Sequence, residues 1–286
     1  MIKANTLFKI RWQIFLFFLA MLILANNKVQ AQGLSEGTPL GVRAQAMGGA
    51  YRSAALGSDV LYYNPAGLLI DNRYELDFDY FYLAKNKQNL LGASLVDSTT
   101  STLAAGIDYH LTITKTNEKT EFFHQWLIAL AYPLVQDALL TGLSFKYKSN
   151  NKFNLDFGTL FILPFGISLA AVGYDLLPSQ TDFFLVGFGA SFSGRKLFTK
   201  ENIFDSLTIA VDYMLQPKIL DFGFEYIIAK TLPLRAGLGM DFKKDEKTIS
   251  FGTGLASPTL GLDLLYQKNL NLADADVYAV ALKLIF

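Results

Sequence analysis

Large apolar residues alternate with polar ones along most of the chain between Tyr74 and the C-terminus. In the stretch YELDFDYFY, residues 74–82, every second residue is tyrosine, leucine or phenylalanine, and carboxylates fall at three positions between them. Since successive side chains of a β-strand point to opposite faces, this strand has one apolar and one acidic face. Similar runs recur along the chain, with these residues on their polar faces: Asp108, Ser144, Asp212, Glu225, Arg235 and Asp263. The pattern predicts a series of amphipathic strands.

Short polar or proline-containing turns separate these runs. The segments between the turns predict about fourteen strands, an even number that suits a closed antiparallel barrel with both ends of the chain on one side. The expected strands are 74–83, 89–97, 101–114, 122–132, 138–148, 153–162, 167–176, 182–193, 205–215, 219–228, 232–242, 248–256, 259–268 and 276–286.

One stretch, Phe157 to Gly173, carries no charge and has the hydropathy of a membrane-spanning helix. Pro164 and Gly166 interrupt it in the middle, and Asp156 and Asp175 bound it closely. Because proline and glycine favour turns over helix interiors, we expect two strands joined by a tight turn here.

Two arrangements suit amphipathic strands: a soluble sandwich or lipocalin-like barrel with the apolar faces inside, and a membrane barrel with them outside. Aromatic residues at both ends of the apolar faces favour the membrane barrel, where they form girdles at the two interfaces. The composition agrees, because 51% of residues are hydrophobic and only 17% are charged. We expect an all-β protein, a transmembrane antiparallel barrel with charged side chains inside.

The C-terminal strand ends on an aromatic residue, and alternate positions before it are large and apolar. These residues are Tyr278, Val280, Leu282, Leu284 and Phe286. Outer-membrane barrels end in this way because the final strand is recognised during insertion. We expect it to close the barrel against the first strand and to be read by the barrel assembly machinery, since no strand edge can stay unpaired in lipid.

The N-terminus predicts export. Lys3, Lys9 and Arg11 precede an apolar run, Ile14 to Ala25, that is shorter than the roughly twenty residues of a spanning helix. In Val29-Gln30-Ala31, the two positions that a signal peptidase reads, Val29 and Ala31, carry small residues. The expected organisation is a signal peptide over residues 1–31, cleaved after Ala31, an N-terminal segment over 32–72 and a barrel over 73–286, in a Gram-negative outer membrane.

The segment before the first strand, GVRAQAMGGAYRSAALGSDVLYYNPAGL, resembles the N-terminal signature of the FadL-like outer-membrane family. That family includes transporters of fatty acids and aromatic hydrocarbons and the PorV/PorQ proteins of type IX secretion. The resemblance implies fourteen strands with the N-terminal segment folded into the lumen as a hatch. Later stretches resemble PorV-type strands: LDFGTLF (155–161), FGFEY (222–226), LRAGL (234–238) and LGLDLLY (260–266).

The motif NPAGL, comprising Asn64, Pro65, Ala66, Gly67 and Leu68, is expected where the hatch leaves the lumen. Proline fixes φ, asparagine bonds to nearby backbone, and glycine relaxes the turn. The motif is therefore either a structural turn or a gating and ligand-contacting element. The short loops depart from the family's transporters, because they leave little material for a substrate-capture groove.

Charged residues on the polar faces predict an ion network in the lumen. Glu225 and Arg235 are equidistant from Lys230, the centre of a short turn, so they should be cross-strand neighbours joined by a salt bridge. We expect further members of the same network: Asp221, Asp241, Asp263, Arg43 and Arg52. Such a network either neutralises buried charge beneath the hatch or is what a ligand must loosen to shift it.

Little in the sequence points to catalysis or a cofactor. The chain has no cysteine, and its two histidines, His110 and His124, flank one hairpin as a weak candidate metal pair or as ordinary lumen and rim residues. GLSEG (33–37) matches a nucleophile-elbow spacing but lacks the strand and helix that the elbow needs. A net charge of zero argues against nucleic-acid binding. We expect no enzyme activity, no cofactor and no metal.

The sequence thus suggests two functions. The first is passive transport of small hydrophobic molecules across the outer membrane, with the hatch as plug. The alternative is a non-transporting adaptor that holds secreted proteins at the cell surface, as the PorV/PorQ resemblance implies. The expected partners are outer-membrane lipid, the assembly machinery, and small hydrophobic ligands or secreted proteins.

Overall fold

The computed structural model describes residues 41–85, 87–115, 120–149, 152–177, 185–194 and 206–286. The predicted signal peptide, its cleavage after Ala31 and the GLSEG stretch lie outside these residues. No helix in the described ranges is long and apolar enough to cross a membrane.

Fourteen strands in the described part of the chain form one closed antiparallel barrel, in which each strand pairs with its sequence neighbours and β1 pairs with β14. The predicted strand number and topology are confirmed. The strands are β1 Tyr74–Leu83, β2 Gln88–Asp97, β3 Ala104–Lys115, β4 Thr120–Val135, β5 Leu139–Lys148, β6 Lys152–Ile162, β7 Ile167–Tyr174, β8 Leu185–Ser193, β9 Leu207–Met214, β10 Ile219–Ile228, β11 Leu232–Asp241, β12 Glu246–Ala256, β13 Leu260–Asn269 and β14 Val277–Ile285.

Most strand ends lie close to the predicted ones, and the largest difference is in β4. This strand continues past Pro133, which was expected to begin a turn, and ends at Val135. A register shift between Pro133 and Val135 accommodates the proline, which has no N–H to donate to the ladder. The uncharged run from Phe157 to Gly173 forms β6 and β7, joined by a 3₁₀ turn at Pro164–Gly166, as predicted.

The barrel has an apolar outer surface and a charged interior. Phe78, Phe145 and Phe251 are each about half exposed on the outside, whereas Asp212 and Glu225 on the inward faces are at most 1% exposed. A water-soluble barrel or sandwich would show the reverse arrangement. The predicted orientation of the strand faces is therefore confirmed, and the soluble alternative is wrong.

The C-terminal strand closes the barrel. In the register of β14 against β1, Leu282 lies opposite Phe78, and the backbone N–H of Phe286 donates to the Tyr74 carbonyl at 2.9 Å. The rings of Tyr74 and Phe286 meet edge to face at the seam. The predicted closing role of this strand is confirmed, whereas its recognition by the assembly machinery stays a prediction.

Residues 41–72, called the luminal segment below, cross the inside of the barrel. The segment contains helix α1 (Val42–Ala46), a 3₁₀ turn at Gly57–Asp59, helix α2 (Val60–Tyr63) and a 3₁₀ turn at Pro65–Leu69. Helix α1 contacts strands β11 to β14, while Pro65–Leu69 contacts β3 to β6. Because these two groups of strands lie on opposite sides of the barrel, the segment spans the lumen from wall to wall.

Glycines in the wall let the luminal segment approach the strands closely. A Cβ added at Gly142 on β5 would lie 2.5 Å from the backbone nitrogen of Ala66. A Cβ at Gly158 on β6 would overlap the side-chain oxygen of Asn64. Only a residue without a side chain leaves room for backbone at these positions, so the NPAGL motif is seated in a glycine-lined depression of the wall.

Replacing Gly158 by leucine should displace the luminal segment while the barrel stays folded. The added side chain would occupy the space of Asn64, and overpacking of this kind costs about 1–3 kcal/mol. Arg52, which is buried beside this contact, would then become accessible to trypsin. Limited proteolysis with mass spectrometry of the fragments measures this directly.

The matched control is Ala190→Leu, which adds volume on the exposed outer side of β8. Cleavage after Arg52 is expected in Gly158→Leu only. Continued protection of Arg52 in that variant would show that the close approach does not hold the segment in place.

Candidate functional site: the filled lumen

Glu225 on β10 lies between two arginines and joins the luminal segment to the wall. Arg43 of the segment donates to it twice, with Nη2 at 2.5 Å from Oε1 and Nε at 2.8 Å from Oε2. Arg235 on β11, directly across the strand pair, donates from Nε at 2.6 Å. The predicted Glu225–Arg235 salt bridge is confirmed.

The ion pairs continue around the wall to the last strand. Arg235 Nη1 contacts Asp263 Oδ1 at 2.6 Å, and Lys283 Nζ on β14 lies 3.3 Å from Asp263 Oδ2. Lys283 also reaches Asp59 of the luminal segment at 3.2 Å and Asp77 of β1 at 3.8 Å. We call this group the central ion network; its members are Arg43, Asp59, Asp77, Glu225, Arg235, Asp263 and Lys283.

The central ion network crosses from the luminal segment to the wall at two places, Arg43–Glu225 and Asp59–Lys283. Paired buried charges add little net stability, but removing one partner leaves the other uncompensated and is costly. The network therefore fixes where the segment sits more than it stabilises the barrel. Lys283 was missed in the sequence analysis, although it is the one charged residue in β14 and lies on its inward face.

A second anchor, separate from the first, holds Arg52. One oxygen of Asp212 on β9 accepts the backbone N–H groups of Tyr51 and Arg52, each at 2.8 Å, and the Arg52 guanidinium at 3.1 Å. The prediction that Arg52 joins the Glu225 network is therefore wrong. The reason is that the chain between Arg43 and Arg52 crosses to a different part of the wall, where Asp212 is nearer.

Two predicted members of the network have other surroundings. Asp241 lies at the end of β11 and accepts the backbone N–H groups of Lys243 and Lys244 at 2.9 and 3.0 Å, so it caps a turn at the rim. Asp221 faces the lumen beside Gly49 but forms no ion pair with another residue in the described ranges. The alternation of side chains along each strand predicted correctly that both residues are on the inward face. It did not predict their positions along the barrel axis.

The NPAGL motif serves as a structural joint in this conformation. The Asn64 amide donates to the carbonyls of Arg52 and Thr159 at 2.9 and 3.2 Å, and its oxygen accepts the Ala66 N–H at 3.1 Å. Pro65 begins the 3₁₀ turn, where its missing donor is tolerated. The side chain of Asn64 thus links two stretches of the luminal segment to β6.

The two histidines do not form a site, because they lie on opposite faces of the wall. His110 points inward, between Asp108 at 2.8 Å and Asp79 at 3.1 Å, and Tyr62 of the luminal segment is 3.1 Å from its Nδ1. His124 pairs with the outward Tyr109 at 2.8 Å. The possible metal pair is thereby excluded, and no other metal-ligand cluster occurs in the ranges that the structure describes.

A cavity of about 270 Å³ lies between the luminal segment and strands β6 to β9. The segment contributes Ser53, Ala54 and Leu56, and the wall contributes inward residues such as Ser191 and Thr208. The cavity lies at the end of the barrel where β1 begins and β14 ends. We call it the serine pocket; no pattern in the sequence pointed to it.

Tyr51 holds the part of the luminal segment that borders the serine pocket. Its hydroxyl donates to the Leu56 carbonyl at 3.1 Å and accepts the Leu56 N–H at 3.2 Å. These two hydrogen bonds close the loop between residues 51 and 56. Burial raises the pKa of the Tyr51 phenol to about 12, and the hydroxyl therefore stays protonated and able to donate. The inner wall of the pocket is in this way preformed.

A closed fourteen-strand barrel with an apolar exterior and a charged, filled interior has the fold of the outer-membrane β-barrel proteins. Solved structures of this class are similar to the chain. The toluene transporter TbuX of Ralstonia pickettii matches 86% of this chain and 97% of its own, with 11% identity and a TM-score of 0.58.

The outer membrane protein Omp33 of Acinetobacter baumannii matches 76% of this chain and 100% of its own, with 11% identity and a TM-score of 0.52. No protein-family model matches the sequence, and no curated protein sequence matches it. At such low identity the similarity shows the fold, and function has to be argued from the lumen.

Replacing Glu225 by glutamine should loosen the central ion network. Arg43 and Arg235 would lose their shared carboxylate, and breaking a buried pair of this kind costs about 3 kcal/mol. The free energy of unfolding, followed by Trp126 fluorescence during urea titration in lipid vesicles, should fall by that amount. The luminal segment should also become more accessible to trypsin.

Asp241→Asn is the matched control, since it makes the same change from carboxylate to amide at a turn cap outside the network. Its effect on unfolding should stay within about 0.5 kcal/mol, as for most surface substitutions. Equal effects of the two variants would contradict an anchoring role for Glu225.

Proposed function

We propose that this protein is a FadL-like outer-membrane barrel that lets small hydrophobic molecules cross passively, with the luminal segment as its plug. The observation that carries the proposal is the serine pocket, a preformed cavity between the luminal segment and the barrel wall. Ligand sites are typically concave, largely apolar spaces with a few polar groups, and this pocket has that character. The similarity in fold to a toluene transporter supports the same class of substrate.

The proposed setting is the outer membrane of a Gram-negative bacterium, reached through the predicted signal peptide. The outward phenylalanines, leucines and tyrosines then contact lipid, and aromatic residues at both rims lie at the interfaces. In this setting both ends of the barrel chain face the periplasm, and the serine pocket lies at that side. A hydrophobic molecule would leave the barrel there, driven by its own concentration gradient.

Passage requires the luminal segment to move, because the segment fills the interior and every strand is paired with two neighbours. The attachments that must open include Arg43–Glu225, Asp59–Lys283 and Asp212 with the backbone at residues 51 and 52. Each involves a charged side chain, and water can take the place of its partner once the segment begins to shift. The packed glycine contacts act differently, since they limit how far the segment can rotate without leaving the wall.

The continuous wall and the filled lumen favour a second candidate. A barrel that stays closed suits a non-transporting adaptor of the PorV/PorQ kind, which would hold a secreted protein at the cell surface. Short connections between strands, such as the turn between β11 and β12, leave little room for substrate capture. Large apolar residues at the rims, including Phe153 and Phe242, are exposed enough to contact such a client.

A disulfide that locks the luminal segment should block transport. The side chains of Ser58 on the segment and Asp77 on β1 are in hydrogen-bond contact, and the chain has no cysteine of its own, so cysteines introduced at these two positions test a covalent link between segment and wall. Cells that produce Ser58→Cys/Asp77→Cys should take up labelled toluene and longer alkylbenzenes slowly when oxidised. Uptake should recover at least about fivefold after reduction, as measured by radiolabel accumulation over minutes.

The reduced form of the same variant is the internal control for folding and abundance, and cells without the protein give the baseline. Equal uptake in wild-type cells and cells without the protein, across a broad panel of compounds, would overturn the transport proposal. In that event, cross-linking of surface proteins to the barrel rim would test the adaptor function.

A further inference from the structure

We propose that the serine pocket binds neutral molecules of about one aromatic ring that carry a hydroxyl group, such as alkylphenols, in preference to carboxylates and pure hydrocarbons. This inference rests on the proposed function, because it names the substrate class of the same pocket. It follows from the polarity, charge and size of the pocket.

The wall of the serine pocket carries two cross-strand pairs of hydroxyl side chains. Ser168 lies directly opposite Ser191 in the register of β7 and β8, and Ser193 lies opposite Thr208 in that of β8 and β9. All four line the pocket, and none of their side chains has a hydrogen-bond partner among the described residues. Hydroxyls in this state both donate and accept, so they suit a ligand with a hydroxyl of its own.

The luminal segment adds one more hydroxyl of the same kind. Ser53 is 2% exposed, and its Oγ is buried with no hydrogen-bond partner in the described part of the chain. A buried polar group without a partner costs about 1–3 kcal/mol. A ligand that enters beside Ser53 and offers a donor or an acceptor would recover part of that free energy.

Apart from Asp71, the remaining side chains that line the pocket are apolar. Ala54, Leu56 and Ile70 of the luminal segment and Ile162 of β6 line it. These side chains bury a hydrocarbon body while the hydroxyls on β7 to β9 bind its polar end. The two unlike sides give the ligand one orientation, with the polar group against the wall and the ring against the segment.

The charges among the described lining residues disfavour an anionic ligand. The one charged residue among them is Asp71, which is paired with Arg73. A carboxylate ligand would meet no cation among these described residues and would be repelled by Asp71. A fatty acid anion is thereby disfavoured, whereas a neutral hydroxyl keeps its hydrogen bonds without a charge penalty.

The volume sets the size of the ligand. An apolar cavity of about 150 Å³ is enough to hold benzene. At about 270 Å³ the serine pocket has room for one ring with a short alkyl chain and a polar substituent. A pure hydrocarbon of that size would displace water from the hydroxyls without replacing its hydrogen bonds, and sites of this kind discriminate strongly against such ligands.

Binding to the intact barrel in detergent tests the proposal with three probes of similar shape: 4-ethylphenol, ethylbenzene and 4-ethylbenzoate. Isothermal titration calorimetry should give a Kd for 4-ethylphenol about tenfold lower than for the other two. Ser168→Ala/Ser191→Ala should reduce the preference for 4-ethylphenol over ethylbenzene, because it removes one of the two hydroxyl pairs. Ala54→Phe should fill the pocket and abolish binding of all three probes.

Two control variants account for the partitioning of the probes into the detergent. Ser144→Ala removes a buried, unpartnered hydroxyl on β5 that does not line the pocket, and Ala190→Phe adds a ring on the outer side of β8. Both should bind like the wild type. Equal or tighter binding of ethylbenzene or 4-ethylbenzoate, or a preference that Ser168→Ala/Ser191→Ala leaves unchanged, would overturn the inference.

Measuring uptake as well as binding distinguishes a failure of this inference from a failure of the proposed function. Selective binding of 4-ethylphenol without any uptake above the baseline would support the pocket and reject transport. Uptake of hydrocarbons without selective binding of 4-ethylphenol would support transport and reject the pocket as its phenol site.

Discussion

The structure depends on one constraint, which is that every backbone N–H and C=O on the strands must be paired where no water can reach them. Pairing of β14 with β1 meets it by removing the last free edge. Closure at fourteen strands also fixes the circumference, and with it the width of the interior. The interior is lined by carboxylates and cations, and the luminal segment fills it and pairs with them.

The luminal segment meets the wall through two kinds of contact with different consequences. Glycines such as Gly142 and Gly158 bring backbone against backbone and define a shape that only this segment fits. Ion pairs to Glu225, Asp212 and Lys283 define its position through directed contacts between buried charges. A plug built in this way is specific in its seated position and is held there by contacts that can open. The serine pocket lies where neither kind of contact fills the gap.

Much of this fold could be predicted from the sequence, because alternation and turn residues are local signals. They gave the strand number, the face of each strand and, through the short turn at Lys230, the Glu225–Arg235 pair. The partners of the luminal segment could not be predicted in the same way. A segment without a regular period gives no rule for which wall strand each residue meets, so Arg52 was assigned to the wrong carboxylate and Lys283 was overlooked. The serine pocket could not be predicted for the same reason, since its two sides come from distant parts of the chain.

The span of the ion pairs along the chain has a consequence for biogenesis. Arg43 and Glu225 are 182 positions apart, and Asp59 and Lys283 are 224 apart. Contacts between such distant positions form late, because the intervening chain must first be ordered. The earliest part of the barrel chain to be synthesised therefore waits for the final strand before it finds its place. The luminal segment can therefore dock fully only after all fourteen strands are in place. Its docked position indicates that assembly of the barrel is complete.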